Sequence, residues 1–310
     1  MRILVTGCHG FISRAFGCYA GARGHIICGV GRADSPPPGW EGDYRQSNYT
    51  AGEIETIVRD FEPDAVIHGA GSSSVSFSFD EPLEDFSASV LIWANVLDGV
   101  RRSRRGPIVL FPSSAAVYGN PLVIPVREDA LSNPISPYGF HKATSEILAK
   151  EYASCFQLDV VSCRLFSVFG EGQKRLLIWE LFNQLNGSDA QLKLQGTGVE
   201  SRDYLHIDDV ASAFVEIIER RAQEEQAGNF TCINVARGKS ITVVEVARKL
   251  CAMLGIEKEI LTGKDVRRGD PSKWEADISV LKQTAPGWHA MDLDESLENC
   301  LKVWLTECGN

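Results

Sequence analysis

The fold is decided by the stretch Arg2-Ile3-Leu4-Val5-Thr6-Gly7-Cys8-His9-Gly10-Phe11-Ile12-Ser13, which passes from an apolar run into a glycine-containing loop. The apolar run predicts a buried strand, and the pattern that follows, to about Ala22, predicts a helix. Gly7 permits a tight turn, and Gly10 lets a pyrophosphate approach the backbone at the positive end of that helix. A second apolar run, residues 25–30, predicts the next strand. This βαβ start is typical of a dinucleotide-binding fold.

The same alternation of strands and helices continues to about residue 165. Apolar runs and helical periodicity predict further strands at 64–68, 107–111 and 160–165, and helices at 51–61, 83–100 and 138–156. The Pro- and Gly-rich segment 31–48 predicts a loop, and the Ser-rich segment 72–78 a polar connection. The strands are apolar on both faces, as in a sheet that helices cover on both sides. The sequence therefore predicts an α/β fold with a Rossmann-type, doubly wound parallel sheet.

The regular alternation stops after Phe166, where glycine-rich turns and mixed elements begin. We expect a dinucleotide-binding Rossmann domain at residues 1–166 and a smaller, mixed α/β substrate-binding lobe at residues 167–310. The assignment of segments near residues 202–222 stays open, because they could pack on the first domain although they follow residue 166 in the sequence.

The charge balance argues against nucleic acids and membrane surfaces as partners. The chain of 310 residues carries a net charge of −10 and has a pI of about 5.2. Its positive residues are dispersed except for Arg101-Arg102 and Arg104-Arg105, which fall near a predicted helix end, where cations suit the helix dipole. A net acidic chain repels the phosphates of nucleic acids and of anionic lipids.

The nine cysteines contain no Cys-x-x-Cys pair, and several lie in apolar runs such as Ile26-Ile27-Cys28. They are typical of small buried side chains in a reducing compartment and not of disulfides or metal ligands. We therefore predict no metal site. The N-terminal apolar run is too short for a signal peptide, and no segment approaches a membrane span. A cytoplasmic protein is expected.

A second motif, Ser136-Pro137-Tyr138-Gly139-Phe140-His141-Lys142, carries candidate chemistry. Tyr138 and Lys142 are four residues apart, which places them on one face of a helix. An ammonium one turn away is expected to lower the tyrosine pKa from its reference value of about 10. Ser114 follows the predicted strand 107–111 and stands ahead of this helix. Together with the nucleotide loop, the three side chains predict a hydride-transfer site.

The end of the second predicted strand selects the dinucleotide. An acidic residue there binds the ribose hydroxyls of NAD, whereas an arginine tolerates the additional phosphate of NADP. The sequence has Arg32 directly after Gly31, and Asp34 follows two residues later. Arg32 favours NADP(H), and Asp34 leaves NAD(H) possible.

Taken together, these motifs resemble the extended short-chain dehydrogenase/reductase family of nucleotide-sugar epimerases, dehydratases and reductases. The matching segments span nearly the whole chain and are Thr6-Gly7-x-x-Gly10-Phe11-Ile12, Pro63-Asp64-x-Val66-Ile67-His68-x-Ala70, Ser113-Ser114-Ala115-Ala116-Val117-Tyr118-Gly119, Ser136-Pro137-Tyr138-Gly139-x-x-Lys142, Arg164-Leu165-Phe166-x-Val168-x-Gly170, Arg202-Asp203-Tyr204-x-His206-x-Asp208-Asp209-Val210 and Leu293-Asp294-Glu295-Ser296-Leu297. The chain departs from the family at Ser13, where a third glycine is usual, and at Ser47-Asn48, where an aspartate commonly contacts adenine.

The resemblance implies a role for each matching residue. Ser114 would be the catalytic hydroxyl, Tyr138 the acid/base, and Lys142 its pKa partner and a ribose ligand. The implied cofactor-binding residues are Gly7, His9, Gly10, Phe11, Ile12, Arg32, Ser47, Asn48, Gly69, Ala70, Tyr138 and Lys142. The implied binding residues for a nucleotide-diphosphate sugar are Ser74, Ser114, Ser167, Lys174, Arg202 and Arg268. The resemblance also implies a homodimer, formed through the helical stretches 83–100 and 143–156.

The reaction type remains open between two alternatives. The dehydratases of this family carry an acidic residue directly after the catalytic Ser or Thr, and Ala115 and Ala116 cannot exchange a proton, which disfavours 4,6-dehydration. Arg32 and a similarity to GDP-4-keto-6-deoxymannose reductases favour an NADPH-dependent reductase of an NDP-4-keto-hexose. The run from Ser114 to Gly119 is common among 4-epimerases of the UDP-glucose type, which hold NAD tightly. A non-catalytic, cofactor-binding regulator is a third alternative, against which the intact Ser, Tyr and Lys argue.

Overall fold

The computed structural model describes residues 1–224, 228–264 and 269–308. Its strands are β1 (Arg2–Thr6), β2 (Ile26–Gly31), β3 (Asp43–Gln46), β4 (Ala65–His68), β5 (Ile108–Ser114), β6 (Asp159–Leu165), β7 (Ser167–Phe169), β8 (Gln191–Leu194), β9 (Ser201–His206), β10 (Phe230–Val235), β11 (Ser240–Thr242) and β12 (Glu259–Thr262).

The helices are α1 (Phe11–Ala22), α2 (Ala51–Phe61), α3 (Val75–Asp80), α4 (Pro82–Phe86), α5 (Ile92–Ser103), α6 (Pro137–Phe156), α7 (Leu177–Asn186), α8 (Ile207–Arg221), α9 (Val243–Leu254), α10 (Ser279–Thr284) and α11 (Leu293–Cys308). A π-helical turn, Ser87–Leu91, joins α4 to α5, and a 3-10 turn, Ala115–Tyr118, follows β5. None of the helices within the described residues has both the length and the apolar composition that crossing a bilayer requires.

Seven strands form one parallel sheet in the order β10-β6-β5-β4-β1-β2-β3. This arrangement confirms the predicted Rossmann-type sheet. The strand order reverses between β1 and β4, and such a switch point opens a crevice at the carboxyl ends of the strands, where ligands bind. The sheet therefore brings the β1–α1 loop, the end of β4 and the end of β5 to one edge.

Helices cover both faces of the sheet. On one face α1 packs against α8, with Phe16 and Phe214 fully buried between them. On the other face α2, α5 and α6 enclose a second core around Ile54 and Trp93. Each large apolar side chain buried in this way contributes roughly 1.5–3 kcal/mol. Helix α6, which carries Tyr138 and Lys142, thus packs against β5, the strand that carries Ser114.

Beyond the large sheet, the C-terminal half forms two small sheets, β11-β9-β7 and β12-β8. Helices α7, α9 and α11 enclose a core around Phe182 and Trp304. Residues 205–218 and 230–235 nevertheless contribute to the core beneath the large sheet. The boundary at residue 166 stays a prediction, and we propose that these two segments belong structurally with the N-terminal part.

The structure differs from the predicted elements at three places. Strand β3 lies inside the predicted loop 31–48, and α3 begins within the predicted polar connection 72–78. Helix α2, in contrast, has the predicted bounds, because Thr50 and Glu53 form a capping box at its start. The predicted helix 83–100 is divided among α4, the π-helical turn and α5, which ends at Ser103.

Candidate active site

The loop between β1 and α1 forms a cradle for a phosphate group. Gly7 has a φ of 67°, and a Cβ on it would lie 2.5 Å from the backbone nitrogen of Ala70. Gly10 is the N-cap of α1 and offers no side-chain cap, and the first turn of α1 contains no acidic residue. The first N–H groups of α1 are therefore available to an anion at the positive end of the helix dipole. These features fit the pyrophosphate of a dinucleotide.

Ser13 occupies the position where a third glycine is usual in the family. Gly69 lies opposite it and leaves room for the serine side chain. The Ser13 hydroxyl donates a hydrogen bond to the carbonyl oxygen of Thr6, with 3.2 Å between the oxygens. A Cβ on Gly69 would lie 1.9 Å from that hydroxyl. The structure thus places Gly69 and Ala70, after β4, directly against the nucleotide loop. Phe11 and Ile12 lie behind this loop, against the core that α1 and α8 enclose.

The end of β2 presents an arginine that has no acidic partner among residues 1–224, 228–264 and 269–308. Arg32 is exposed, its Cζ lies 5.7 Å from the centre of the Tyr49 ring, and it forms no ion pair within the described part of the chain. Asp34 is held by Gln46, whose Nε2 donates to Oδ1 over 2.7 Å. His9 lies at the same corner, with Nε2 3.1 Å from the carbonyl oxygen of Ser35. The corner thus holds both an arginine and an aspartate, the residue types that favour NADP and NAD respectively.

Ser47 and Asn48 lie next to this corner, where they join the N-terminal cap of α2. The buried Ser47 hydroxyl donates to Glu53 Oε2 over 3.0 Å, and the backbone N–H of Asn48 donates to the same oxygen over 3.1 Å. The Ser47 side chain is thus engaged within the protein, whereas the Asn48 side chain is exposed. Their role in adenine binding stays a prediction.

Three candidate catalytic side chains come together where β5 ends and α6 begins. Ser114 is the last residue of β5, and Tyr138 and Lys142 lie in the first two turns of α6. Tyr138 follows the N-cap of α6, where the Ser136 hydroxyl accepts from the Gly139 N–H over 3.1 Å. The Ser114 hydroxyl lies near enough to the Tyr138 phenol for hydrogen bonding between them to lower the tyrosine pKa. The Lys142 Nζ donates to the carbonyl oxygen of Pro112 over 2.9 Å and lies 5.8 Å from the centre of the Tyr138 ring. The spacing of Tyr138 and Lys142 therefore places both beside the serine, as a hydride-transfer site requires.

Burial dominates the electrostatics of this group. It raises the pKa of Tyr138 to about 12, although the hydrogen bond from Ser114 and the charge of Arg175 act in the opposite direction. It lowers the pKa of Lys142 to about 8, against the effect of the Asp85 and Glu146 carboxylates. The expected lowering of the tyrosine pKa is therefore wrong for this structure. Tyr138 is a proton donor at neutral pH, and Lys142 is an ammonium below about pH 8.

Among the predicted substrate-binding residues, Arg202 is buried and already holds a carboxylate. Its Nη2 lies 2.5 Å from Asp270 Oδ1, its Nη1 donates to the carbonyl oxygen of Ser201 over 2.8 Å, and its Cζ lies 5.5 Å from the centre of the Trp274 ring. Arg268 lies outside the described residues. A guanidinium fixed in this way can exchange Asp270 for a phosphate, because both anions accept the same forked donor pair.

The other predicted substrate-binding residues that the structure describes are Ser74, Ser167 and Lys174. The Ser74 hydroxyl caps α3 by accepting from the Phe77 N–H over 3.2 Å. Ser167 lies half-buried on β7. Lys174 is 67% exposed, and its Nζ lies 3.3 Å from a carboxylate oxygen of Glu307 on α11. All three stay predictions.

The sequence reading missed Arg175, the neighbour of Lys174. Its Nη2 donates to the Ser73 hydroxyl over 2.6 Å, which links the loop before α7 to the loop after β4. Its charge also reaches the Tyr138 phenol. Leu176, with a φ of 71°, holds the chain in the left-handed region at this point. No local pattern marks Arg175, because its partners lie far away in the sequence.

Glu171, His206 and Cys300 bring three potential metal-ligand atoms within 4.8 Å of one another. His206 Nδ1 accepts from the Asp208 N–H over 3.3 Å, so that Nε2 carries the proton in the neutral ring. This Nε2 lies 2.9 Å from Glu171 Oε2. A metal needs an unprotonated nitrogen, and the Nε2–H of His206 instead faces the Glu171 carboxylate, so that the group is a histidine–carboxylate pair beside a thiol. The expectation that the protein has no metal site stays a prediction.

Comparison with known proteins agrees with this geometry. The chain matches the family model described as the NAD dependent epimerase/dehydratase family over residues 3–235. The chain belongs to this family. The matched region contains the nucleotide loop, Ser114, Tyr138 and Lys142. The resemblance to extended short-chain dehydrogenases/reductases is thereby confirmed, and the protein is an enzyme of this type.

Individual members of the epimerase/dehydratase family are similar over most of the chain. A UDP-glucose 4-epimerase of Azospirillum brasilense is 30% identical over 311 residues, covering 93% of this chain and 86% of the relative. A GDP-6-deoxy-D-mannose reductase of Pseudomonas aeruginosa is 26% identical over 251 residues, covering 78% and 80%. The structure of a Brucella ovis UDP-glucose 4-epimerase in complex with NAD superposes with a TM-score of 0.87 at 25% identity, over 98% of each chain.

Proposed function

We propose that this enzyme uses NADPH to reduce the keto group of a nucleotide-diphosphate 4-keto-hexose. The observation that carries the proposal is the corner at the end of β2, where Arg32 has no acidic partner within the described residues and Asp34 is bound by Gln46. A guanidinium at this position suits the 2′-phosphate of NADP. NADPH is the common reductant of biosynthesis, which favours net reduction over a cofactor recycled in place.

The protein's own side chains can supply the proton that the reduction of a carbonyl group requires. The dinucleotide, when bound, supplies the hydride. Tyr138 begins in its acid form and donates the phenolic proton to the carbonyl oxygen, which the Ser114 hydroxyl orients. The Lys142 ammonium then stabilises the phenolate that remains. Ala115 and Ala116, both buried, provide no acidic group for dehydration.

For the substrate we propose a nucleotide-diphosphate sugar, held at its diphosphate by Arg202 together with Arg268. The forked geometry of a guanidinium, and the buried position of Arg202, support this assignment. Arg175 adds a positive charge near Tyr138, where the sugar must lie for its oxygen to accept the proton. The structure of MoeE5 in complex with UDP-glucose and NAD, 25% identical with a TM-score of 0.85 over the full length of both chains, supports the substrate class.

A second candidate is a 4-epimerase that retains NAD. The 30% identity to the Azospirillum brasilense UDP-glucose 4-epimerase favours it, as does the NAD bound in the Brucella ovis structure. In that case Tyr138 would have to act first as a base, and burial of its phenol works against this step.

One experiment separates the two candidates. The protein is purified without added cofactor and denatured, and the released dinucleotide is identified by mass spectrometry; stripped protein is then titrated with NADPH and NADH. We expect an empty site, tighter binding of NADPH, and NADPH oxidation with an NDP-4-keto-6-deoxyhexose. Stoichiometric NAD released from the purified protein, with interconversion of UDP-glucose and UDP-galactose, would establish the epimerase instead.

Arg32→Ala is expected to weaken NADPH binding about thirtyfold, because a charge-assisted hydrogen bond contributes roughly 1.5–3 kcal/mol. Binding of NADH should remain unchanged, since NADH has no 2′-phosphate. Arg45→Ala is the matched control, because Arg45 is an exposed arginine on the neighbouring β3. Both dissociation constants can be measured by fluorescence titration of the reduced cofactors. An equal loss for NADH and NADPH would contradict the assignment of Arg32.

We also propose that two copies associate through the outer faces of α5 and α6 and the turn before α5. Apolar side chains are exposed there: Leu91 at 51%, Phe140 at 56% and Ile147 at 68%. A patch of this kind on a folded chain marks an association surface. Sedimentation velocity should show a dimer for the wild type and a monomer for Ile147→Asp. A monomeric wild type at micromolar concentration would exclude the dimer.

A further inference from the structure

A fully buried carboxylate lies behind the acid/base helix. Asp85 on α4 is 0% exposed, and its Oδ2 accepts a hydrogen bond from His141 Nδ1. Its other oxygen, Oδ1, has no hydrogen-bond partner among the described residues. Buried polar atoms are nearly always satisfied, and a carboxylate is expensive to bury. Asp85 is therefore held in an unfavourable position that the packing of α4 alone does not explain.

His141 connects this carboxylate to the reacting groups. It lies on α6 between Tyr138 and Lys142, with its ring edge against Phe86, 5.4 Å between the ring centres. The imidazole is only partly buried, so that it links Asp85 to the surface of α6. Helix α4 packs directly on α6, and the charge of Asp85 favours the protonated forms of both Tyr138 and Lys142.

The other charged groups around Lys142 do not supply a free negative charge. Glu146, one turn further along α6, is bound by the Arg164 guanidinium, with 2.7 Å between Oε2 and Nη2. Burial lowers the pKa of His68 on β4 to about 3, which leaves its imidazole neutral. From β5, Lys142 meets the carbonyl oxygen of Pro112 and, at 4.8 Å from its centre, the ring of Phe111, and neither group carries a charge. Of the two carboxylates near the ammonium, Asp85 is the one without a guanidinium partner.

We propose that Asp85, oriented by His141, is a positioning residue that supplies the counter-charge for the Lys142 ammonium. The buried carboxylate favours the protonated lysine beside Tyr138, where the phenolate formed during the reaction needs a positive charge. The attraction between the carboxylate and the Lys142 ammonium would then stabilise Asp85 Oδ1, which has no hydrogen-bond partner among the described residues. The inference rests on the proposed roles of Tyr138 and Lys142, but it does not depend on whether the enzyme is a reductase or an epimerase.

The test is a direct titration of Lys142 in the full-length protein. With 13C in the lysine side chains, the Lys142 resonance is identified by its loss in Lys142→Arg and followed from pH 6 to 11. We expect a midpoint of about 8 in the wild type. In Asp85→Asn it should fall by about one unit, because an opposite charge at short range shifts a pKa by that order. The alkaline limb of the pH dependence of kcat should move by the same amount.

Two variants serve as controls. Glu84→Gln removes the same charge from the exposed neighbouring position on α4 and should leave the midpoint unchanged. His141→Asn keeps an N–H donor for Asp85 and should also leave it unchanged. An Asp85→Asn protein that titrates like the wild type, whatever its activity or stability, would show that the pair only joins α4 to α6. The titration of Lys142 needs no substrate. Its result therefore tests the role of Asp85 even if the enzyme does not catalyse the proposed reduction.

Discussion

Tyr138→Phe should lower kcat about a thousandfold while leaving dinucleotide binding intact, because it removes one oxygen atom and the phenolic proton donor placed next to Ser114. General acid–base catalysis by a positioned side chain is worth about 10²–10⁴ in rate. The phenol is engaged by Ser114 and lies one turn before Lys142. The remaining Phe ring fills the same volume, so the fold should be preserved. Steady-state kinetics and titration with reduced cofactor measure the two effects.

A matched control is available on the same helix. Tyr152→Phe removes a phenolic hydroxyl from α6 on the side that packs against the core with α2 and α5. Its kcat should remain that of the wild type. A Tyr138→Phe protein that retains more than about a tenth of the wild-type kcat would reject the tyrosine as the acid, since even a modest acid contributes about a hundredfold.

The sequence predicted the buried parallel strands well, because their signal is local and strong. The strands β1, β5 and β6 are buried on both faces and begin within one residue of their predicted starts, although β5 continues three residues beyond its predicted end, to Ser114. Strand β3 was missed because it is a polar edge strand, Asp43–Gln46, that follows a Pro- and Gly-rich segment. Helix α3 was missed because its residues include the serines that otherwise indicate a loop.

The site was predicted unevenly for a similar reason. Tyr138 and Lys142 lie on one helix, so their spacing alone placed them together. The Asp85–His141 pair and the Arg175–Ser73 pair join positions 56 and 102 residues apart, which no local pattern reveals. The direction of the Tyr138 pKa was wrong because spacing shows a neighbouring charge but does not show burial, and here burial is the larger effect.

A buried network beneath the catalytic strand connects the stability of the fold to the site. Glu146 Oε1 accepts from the hydroxyls of Ser113 and Ser162, over 2.7 and 3.0 Å, and from Arg164 Nε over 2.9 Å. Arg164 Nη1 in turn donates to the Tyr118 hydroxyl over 2.8 Å. The network thereby ties β5, which carries Ser114, to β6 and to the helix of Tyr138. Both charges are almost fully removed from solvent.

Arg164→Met is therefore expected to lower the free energy of unfolding by about 3–5 kcal/mol, because it leaves the Glu146 carboxylate buried without its cation. Urea unfolding, followed by the fluorescence of the six tryptophans, measures the change. The double variant Arg164→Met/Glu146→Leu removes both charges and should recover part of the loss, because no unpaired charge stays buried while the Ser113 and Ser162 hydroxyls lose their acceptor. If the single variant unfolded within 1 kcal/mol of the wild type, or if the double variant were less stable than the single one, the pair would not be electrostatically coupled. Such a result would also remove the reason for assigning Asp85, and not Glu146, as the counter-charge of Lys142, because that assignment requires the Glu146 charge to be neutralised by Arg164.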